Sequence, residues 1–377
     1  MKYSIEIGKI VEGALKHDRV KVRNYTEKLI QQLESNGETI PANKFKRLLA
    51  TTDESTLKAM GGNDITKIPV DSESRAMLAD IILPSENNIK VVLSKRNEEQ
   101  MNDFVCSYKN ADELNNLDIE VPNSLLLYGP PGCGKSKAAS YIAKEIGMPL
   151  VIARLDSLIS SYLGTTAKNI RNLFEFAQRT PCVLFLDEFD AIAKARDDNN
   201  ELGELKRVVN SLLQNIDSLN KNSLLLCATN HEDLLDSAVW RRFDYKIYID
   251  LPDKEARKQL IQLFLKTKEL SVKEVEEFAA ATKSLSGSSI EEIITKALRK
   301  SILRKENFNL QLLYSELFKF KGIIAEQEED EKKMQVLKAK YLRMSDEKIF
   351  SYNKIGNILG VSKTTASNLI NEVKEDG

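Results

Sequence analysis

Histidine is almost missing from this chain of 377 residues, with only His17 and His231 present. Four cysteines, Cys106, Cys133, Cys182 and Cys227, are scattered without C-x-x-C spacing. A transition-metal site built from imidazole and thiolate is therefore not expected, nor is a disulfide framework. Reduced thiols suit a cytosol. Neither H-E-x-x-H nor a G-x-S-x-G nucleophile elbow occurs, so the chain carries no recognisable protease site. No apolar run approaches membrane-spanning length, and the first twenty residues lack the hydrophobic block of a signal peptide. Lysine plus arginine (55) nearly cancels aspartate plus glutamate (56), leaving no global excess to attract nucleic acid or a membrane. Internal repeats and low-complexity tracts are missing too. A soluble, cytoplasmic protein of two or three domains is expected.

What is present is more specific. Gly129-Pro130-Pro131-Gly132-Cys133-Gly134-Lys135-Ser136 satisfies G-x-x-x-x-G-K-[ST]. The apolar run Ser124–Tyr128 before it reads as a buried strand, and about Lys135 to Ile146 after it reads as a helix. In that context the glycines let backbone N–H groups face phosphates, and the helix N-terminus adds positive potential. Lys135 is expected to neutralise the β- and γ-phosphates and Ser136 to hold Mg²⁺. Cys133 reads as a tolerated loop residue rather than a redox switch.

Some fifty residues on, Val183–Leu186 reads as a strand covered on both faces, ending in Asp187-Glu188. Phosphoryl transfer needs positioning and charge neutralisation, so two adjacent acids can hold separate jobs. Asp187 is expected in the Mg²⁺ shell, with Glu188 orienting and activating the attacking water. A magnesium-dependent nucleotide triphosphatase follows. A further strand, Leu224–Ala228, ends in Thr229-Asn230, where Asn230 is placed to help Glu188 hold the water. Arg241 and Arg242 then stand together among apolar residues. Such a pair is either a solvated or ion-paired patch, or a set of arginine fingers reaching a neighbouring subunit's γ-phosphate.

Residues 1–60 show helical periodicity, as in Val22, Tyr25, Leu29, Ile30 and Leu33, with a stop at Ser35-Asn36-Gly37. They read as a small bundle, and 61–77 as a linker. From about Leu78 to Asp250 strands and helices alternate, the mark of a parallel α/β sheet. Candidate strands are Ser124–Tyr128, Leu150–Arg154, Val183–Leu186, Ser223–Ala228 and Lys246–Ile249. Beyond Pro252 the chain reads as helical.

On these strings the chain resembles the classical AAA ATPases, part of the AAA+ group, over about residues 78–300. LDSAVWRRFDYKIYIDLP is similar to the second region of homology in the katanin, spastin and ESCRT-disassembly branch. The resemblance implies a P-loop α/β ATPase subdomain (78–251), a helical lid (252–305), ATP with Mg²⁺, and assembly into rings, usually hexamers, with sites shared between subunits. It matches Asn230 to sensor 1, and Arg241 and Arg242 to the arginine fingers. Ser286-Gly287-Ser288-Ser289-Ile290 matches the lid motif S-G-A-D-[IL], with Ser289 at the acidic position and no sensor 2 arginine. Tyr162-Leu163-Gly164 falls where the family carries an aromatic loop lining the central pore, before a helix at Thr166–Arg179. An aromatic there can grip an extended peptide, so a protein substrate is implied; the bland alternative is a small surface cluster. The chain as a whole resembles bacterial AAA proteins encoded beside a subtilisin-like serine protease in phage-defence or plasmid-conflict cassettes.

The region 306–377 contains a second signal. From Tyr352, a small Gly356, a turn at Gly360-Val361, then Ala366 and Leu369 keep helix-turn-helix spacing over 352–371. Ser362 suits the N-cap of the second helix. Lys363, Thr364, Thr365, Ser367 and Asn368 could meet DNA, but Glu372, Glu375 and Asp376 follow closely and leave no net basic excess. DNA contact, protein docking and a purely structural pair all stay open. Three functions are weighed: a ring that remodels or threads protein, a DNA-bound nucleotide switch, and an ATP-gated activator of a partner effector.

Overall fold

The computed structural model describes residues 3–15, 19–38, 41–46, 68–71, 75–84, 89–158, 163–191, 204–219, 223–235, 237–323 and 331–372. The chain divides into two compact units, Met1–Ile68 and Pro69–Gly377. In the first, α1 (Ser4–Leu15) packs on α2 (Arg19–Ser35). Leu29, Ile30 and Leu33, the stripe expected from periodicity, are buried together with Ala42. Gly37, at φ +76°, follows the end of α2 where the stop signal predicts it.

Among the described residues the second unit is built on six strands: β1 (Ala79–Ile82), β2 (Ser124–Tyr128), β3 (Leu150–Ala153), β4 (Val183–Leu186), β5 (Leu224–Thr229) and β6 (Tyr245–Tyr248). Their order is β1-β3-β4-β5-β2-β6. All pairings are parallel except β1 with β3. Every residue of β4 and β5 is buried, as continuous apolar runs in a sheet covered on both faces require. Helices α3 (Lys95–Lys109), α4 (Lys135–Ile146), α5 (Leu163–Arg179) and α6 (Glu204–Asp217) accompany the strands. Helix α5 begins three residues before the expected Thr166.

Strand β1 was not among the expected strands. Four residues, ADII, carry too little pattern to announce it. It is fixed as an edge by pairing with β3 and by the bidentate Arg154–Asp80 bridge. Part of the stretch read as linker is also tied down: Val70 bridges Met77, and Asp71 accepts a hydrogen bond from Asn169 of α5.

After β6 come α7 (Lys254–Leu265), α8 (Val272–Ala281), α9 (Gly287–Arg304), α10 (Leu310–Phe320), α11 (Glu331–Ser345), α12 (Tyr352–Leu359) and α13 (Lys363–Asn371). Helices α7–α9 fall in the expected lid and α10–α13 in the expected C-terminal region, yet they share one core. Phe278 and Ile293 belong to the same buried cluster as Tyr314, Leu342, Ile355 and Leu369. Polar contacts cross the same seam: the Tyr341 hydroxyl donates to Ala281 O at 2.7 Å, and Lys354 pairs with Glu277 at 2.5 Å. None of the described helices is long and apolar enough to cross a membrane.

Candidate nucleotide site

Three glycines shape the loop between β2 and α4. Gly129, Gly132 and Gly134 have φ of +130°, +74° and +98°, values that a side chain makes costly. Two of them are also pressed against neighbours. A Cβ at Gly129 would overlap the Ile249 carbonyl oxygen, and one at Gly132 would run into the hydroxyls of Ser286 and Ser288. The loop is therefore held between the end of β6 and the start of α9.

Lys135 opens α4 with its side chain buried and turned over the loop, Nζ donating to Gly129 O at 2.7 Å and Pro130 O at 2.8 Å. Burial lowers the pKa of its ammonium group, and nearby acidic groups, Asp187 among them, oppose that shift. Ser136 Oγ donates to Asp187 Oδ2 at 2.6 Å, so the two groups expected to hold Mg²⁺ already touch. These hard oxygen donors fit Mg²⁺, which takes one or two protein oxygens and completes its shell with phosphate and water. Among the described residues no cluster of three or more His, Cys, Asp or Glu could hold a metal ion by itself.

Glu188 sits at φ +51°, uncommon for a residue with a side chain. Such strain costs about 1–3 kcal/mol and persists only where the surroundings enforce it. Three bonds do so here. Glu188 N donates to Asp187 Oδ1 at 2.9 Å, Phe189 N to Ala228 O at 2.8 Å, and Thr229 Oγ1 to Asp190 Oδ1 at 3.0 Å. Asp190 and Thr229, both buried, carry no motif signal in the sequence. Their bond ties the turn that presents Glu188 to the end of β5.

Lys135, Ser136, Asp187, Glu188 and Asn230 all line one cleft of about 360 Å³. Its lining also includes an apolar set: Val92, Leu93, Ile249, Leu260, Leu263 and Phe264. A cleft that combines a phosphate cradle with apolar lining residues fits a nucleotide. No local motif marks that set, because its residues come from three separate segments. The lid closes over the loop through Ser288 N donating to Gly132 O at 3.1 Å and through Lys137–Glu291 at 3.3 Å. Ser289, at the position where the family motif is acidic, instead bonds Ser286 Oγ through its hydroxyl (3.0 Å) and its N–H (3.3 Å), completing the N-cap of α9.

The two arginines differ. Arg242 makes a bidentate bridge to Asp217 of α6 at 2.7 and 2.9 Å and donates to Ala238 O. Arg241 is exposed and has no carboxylate partner among the described residues. Neither lines the cleft of its own chain. Tyr162 lies outside the described residues, and Leu163 and Gly164 open α5.

The thiols give a direct check on the site. Cys106 is exposed and Cys133 half-buried, whereas burial pushes Cys182 up to about 12 and Cys227 well above the usual thiol range. Burial also raises Cys133. Titration of the native protein with a thiol reagent should show Cys106 reacting first and Cys133 more slowly, the other two only after unfolding. Saturating MgATP should protect Cys133 and leave Cys106 unchanged. Equal labelling of Cys133 with and without MgATP would contradict the placement of the phosphates.

Comparison with known proteins agrees with this geometry. Residues 125–251 match the family described as ATPase family associated with various cellular activities (AAA). The chain is 38% identical over 286 residues to the uncharacterised AAA family ATPase y4kL of Sinorhizobium fredii, which covers 75% of this chain and 85% of that protein. It is 35% identical over 192 residues to a protein of Methanocaldococcus jannaschii named "Putative 26S proteasome regulatory subunit homolog", covering 50% and 52% of the two chains. With the ATP-dependent zinc metalloprotease FtsH of Halothermothrix orenii the identity is 31% over 236 residues, covering 59% and 38%. The match thus spans about half or less of the last two proteins. Phosphate loop, acidic strand end and docked lid meet in one cleft across the matched region, and the chain belongs to the AAA family of ATPases, which hydrolyse ATP with Mg²⁺.

Proposed function

We propose that the chain forms an ATP-dependent ring, a homohexamer, that couples MgATP hydrolysis to remodelling or threading of a protein substrate. The observation that carries the shared-site reading is the division of charge. The cleft contains Lys90, Lys135 and Lys137 but no arginine among the described residues, while Arg241 stands exposed outside it. In this reading Arg241 completes the site of the neighbouring subunit, and Arg242, bound to Asp217, fixes the segment that presents it.

Within one cleft, Lys135 and the loop N–H groups hold the phosphates while Ser136 and Asp187 supply metal ligands. Mg²⁺ held by Ser136 and Asp187 would supply neutralisation of the phosphate charge. Glu188 accepts a proton from the attacking water, which Asn230 helps to orient. Tyr162, Leu163 and Gly164 serve as the pore loop. The relatives named as proteasome regulatory subunit homologs and as an ATP-dependent metalloprotease support a protein substrate. Since this chain has no protease motif, proteolysis would fall to a partner, a subtilisin-like serine protease in anti-phage or plasmid-conflict defence.

Mixing variants tests the shared site. Arg241→Ala and Lys135→Ala should each abolish turnover alone, and should recover part of it when mixed, because some interfaces then pair an intact cleft with an intact Arg241. No recovery at any mixing ratio, with both variants folded, would count against a site completed in trans.

A further inference from the structure

The C-terminal helix pair takes no part in the nucleotide chemistry, yet it is built closely. A Cβ at Gly356 of α12 would stand 2.7 Å from Val361 O, so only glycine lets the turn before α13 pack this closely on α12. Gly360 makes the turn at φ +72°, and Ser362 caps α13 by accepting from Thr365 N at 3.0 Å. Helix α13 buries only Ala366 and Leu369, leaving Lys363, Thr364, Asn368 and Asn371 exposed. That outer stripe has no large apolar side chain of the kind that anchors protein–protein contacts.

Charge separates the remaining readings. Residues 352–371 contain no aspartate or glutamate. The first acid after them, Glu372, is neutralised by Lys332 of α11 at 2.7 Å, while Lys340 donates to its backbone carbonyl. Across 331–372 there are eight lysines and arginines against four acids, with Glu277 of α8 cancelling Lys354, in a chain whose net charge is −1. Two more of those acids are engaged: Asp346 accepts from Lys348 N and Ile349 N, and Glu347 pairs with Arg343. Lys333, Lys348 and Lys363 are exposed with no carboxylate partner among the described residues. The basic excess that residues 352–377 lack by themselves is supplied by α11, which holds five lysines and arginines against one acid.

We infer that this face docks duplex DNA, the N-terminal half of α13 entering the major groove and the surrounding lysines meeting phosphates. The B-form major groove is wide enough for a helix, whereas that of duplex RNA is too narrow. Thr364 and, one turn on, Asn368 offer the hydroxyl and amide groups that read base edges, while Lys363 at the start of α13 meets a phosphate. Because α11–α13 share a core with α8 and α9, bound DNA would be carried on the lid. The inference is independent of the proposed protein substrate.

The test uses the full chain without nucleotide and a fluorescein-labelled random-sequence duplex three helical turns long. Anisotropy titrations from about 50 to about 200 mM KCl should show binding that weakens steeply with salt. Lys363→Ala should reduce the slope of log K against log salt by about 1, with ATP turnover and melting curve unchanged. Lys144→Ala, an exposed lysine on α4, should leave the slope alone. Absence of salt-dependent duplex binding would overturn the inference, as would a slope indifferent to Lys363→Ala. Equal affinity for duplex RNA would refute the major-groove docking.

Discussion

Glu188→Gln should lower ATP turnover by about 10²–10⁴-fold, the usual worth of a positioned general base, while leaving MgATP binding close to wild type. Glutamine keeps the size of the side chain and the turn at φ +51°, but an amide cannot take the proton. The bonds that enforce the turn involve backbone atoms of Glu188 and Phe189 and the Asp190–Thr229 pair, none of which the change removes. The phosphate-side contacts, Lys135 over the loop and Ser136 against Asp187, are likewise untouched. Turnover should therefore separate from affinity in one variant. Phosphate release and labelled-nucleotide binding, measured side by side, decide it: hydrolysis at the wild-type rate would remove Glu188 from the base role.

The second large effect is expected from a single methyl group. Gly129→Ala should weaken MgATP binding by about tenfold or more, equal to about 1.4 kcal/mol, and lower the melting temperature. Its φ of +130° is strained for any L-residue, and the new Cβ would collide with the Ile249 carbonyl oxygen. That oxygen cannot simply withdraw, because Ile249 N is bonded to Tyr128 O at 2.8 Å beside the β2–β6 pairing. The loop must move instead, and with it Gly129 O, one of the two acceptors holding Lys135. Gly134→Ala is the comparison. Its φ of +98° is also strained, but no atom lies within 4 Å of the added Cβ, so the collision is absent. If both variants bind MgATP equally, the clash with Ile249 is not what requires glycine at 129.

Much of this molecule was legible in its sequence because the relevant forces are local. Strands β2, β4 and β5 are continuous apolar runs, since a strand covered on both faces has no polar side to interrupt it. The phosphate loop is a string because its glycines, lysine and serine act within eight residues, and the helix pair is a string because its turn and close approach need glycine at fixed offsets. What only the tertiary structure decided depends on distant partners. The apolar lining of the cleft draws on residues near 92, 249 and 260. Arg242 is distinguished from Arg241 by Asp217, twenty-five positions earlier. Glu372, beside the C-terminal helix pair, is met by Lys332 of α11, forty positions earlier, and the lid's union with the last helices rests on a core running from Leu260 to Leu369. A pattern in sequence reports which face a residue must bury or which turn it permits; which charge is neutralised, and by whom, is settled only when the chain has folded.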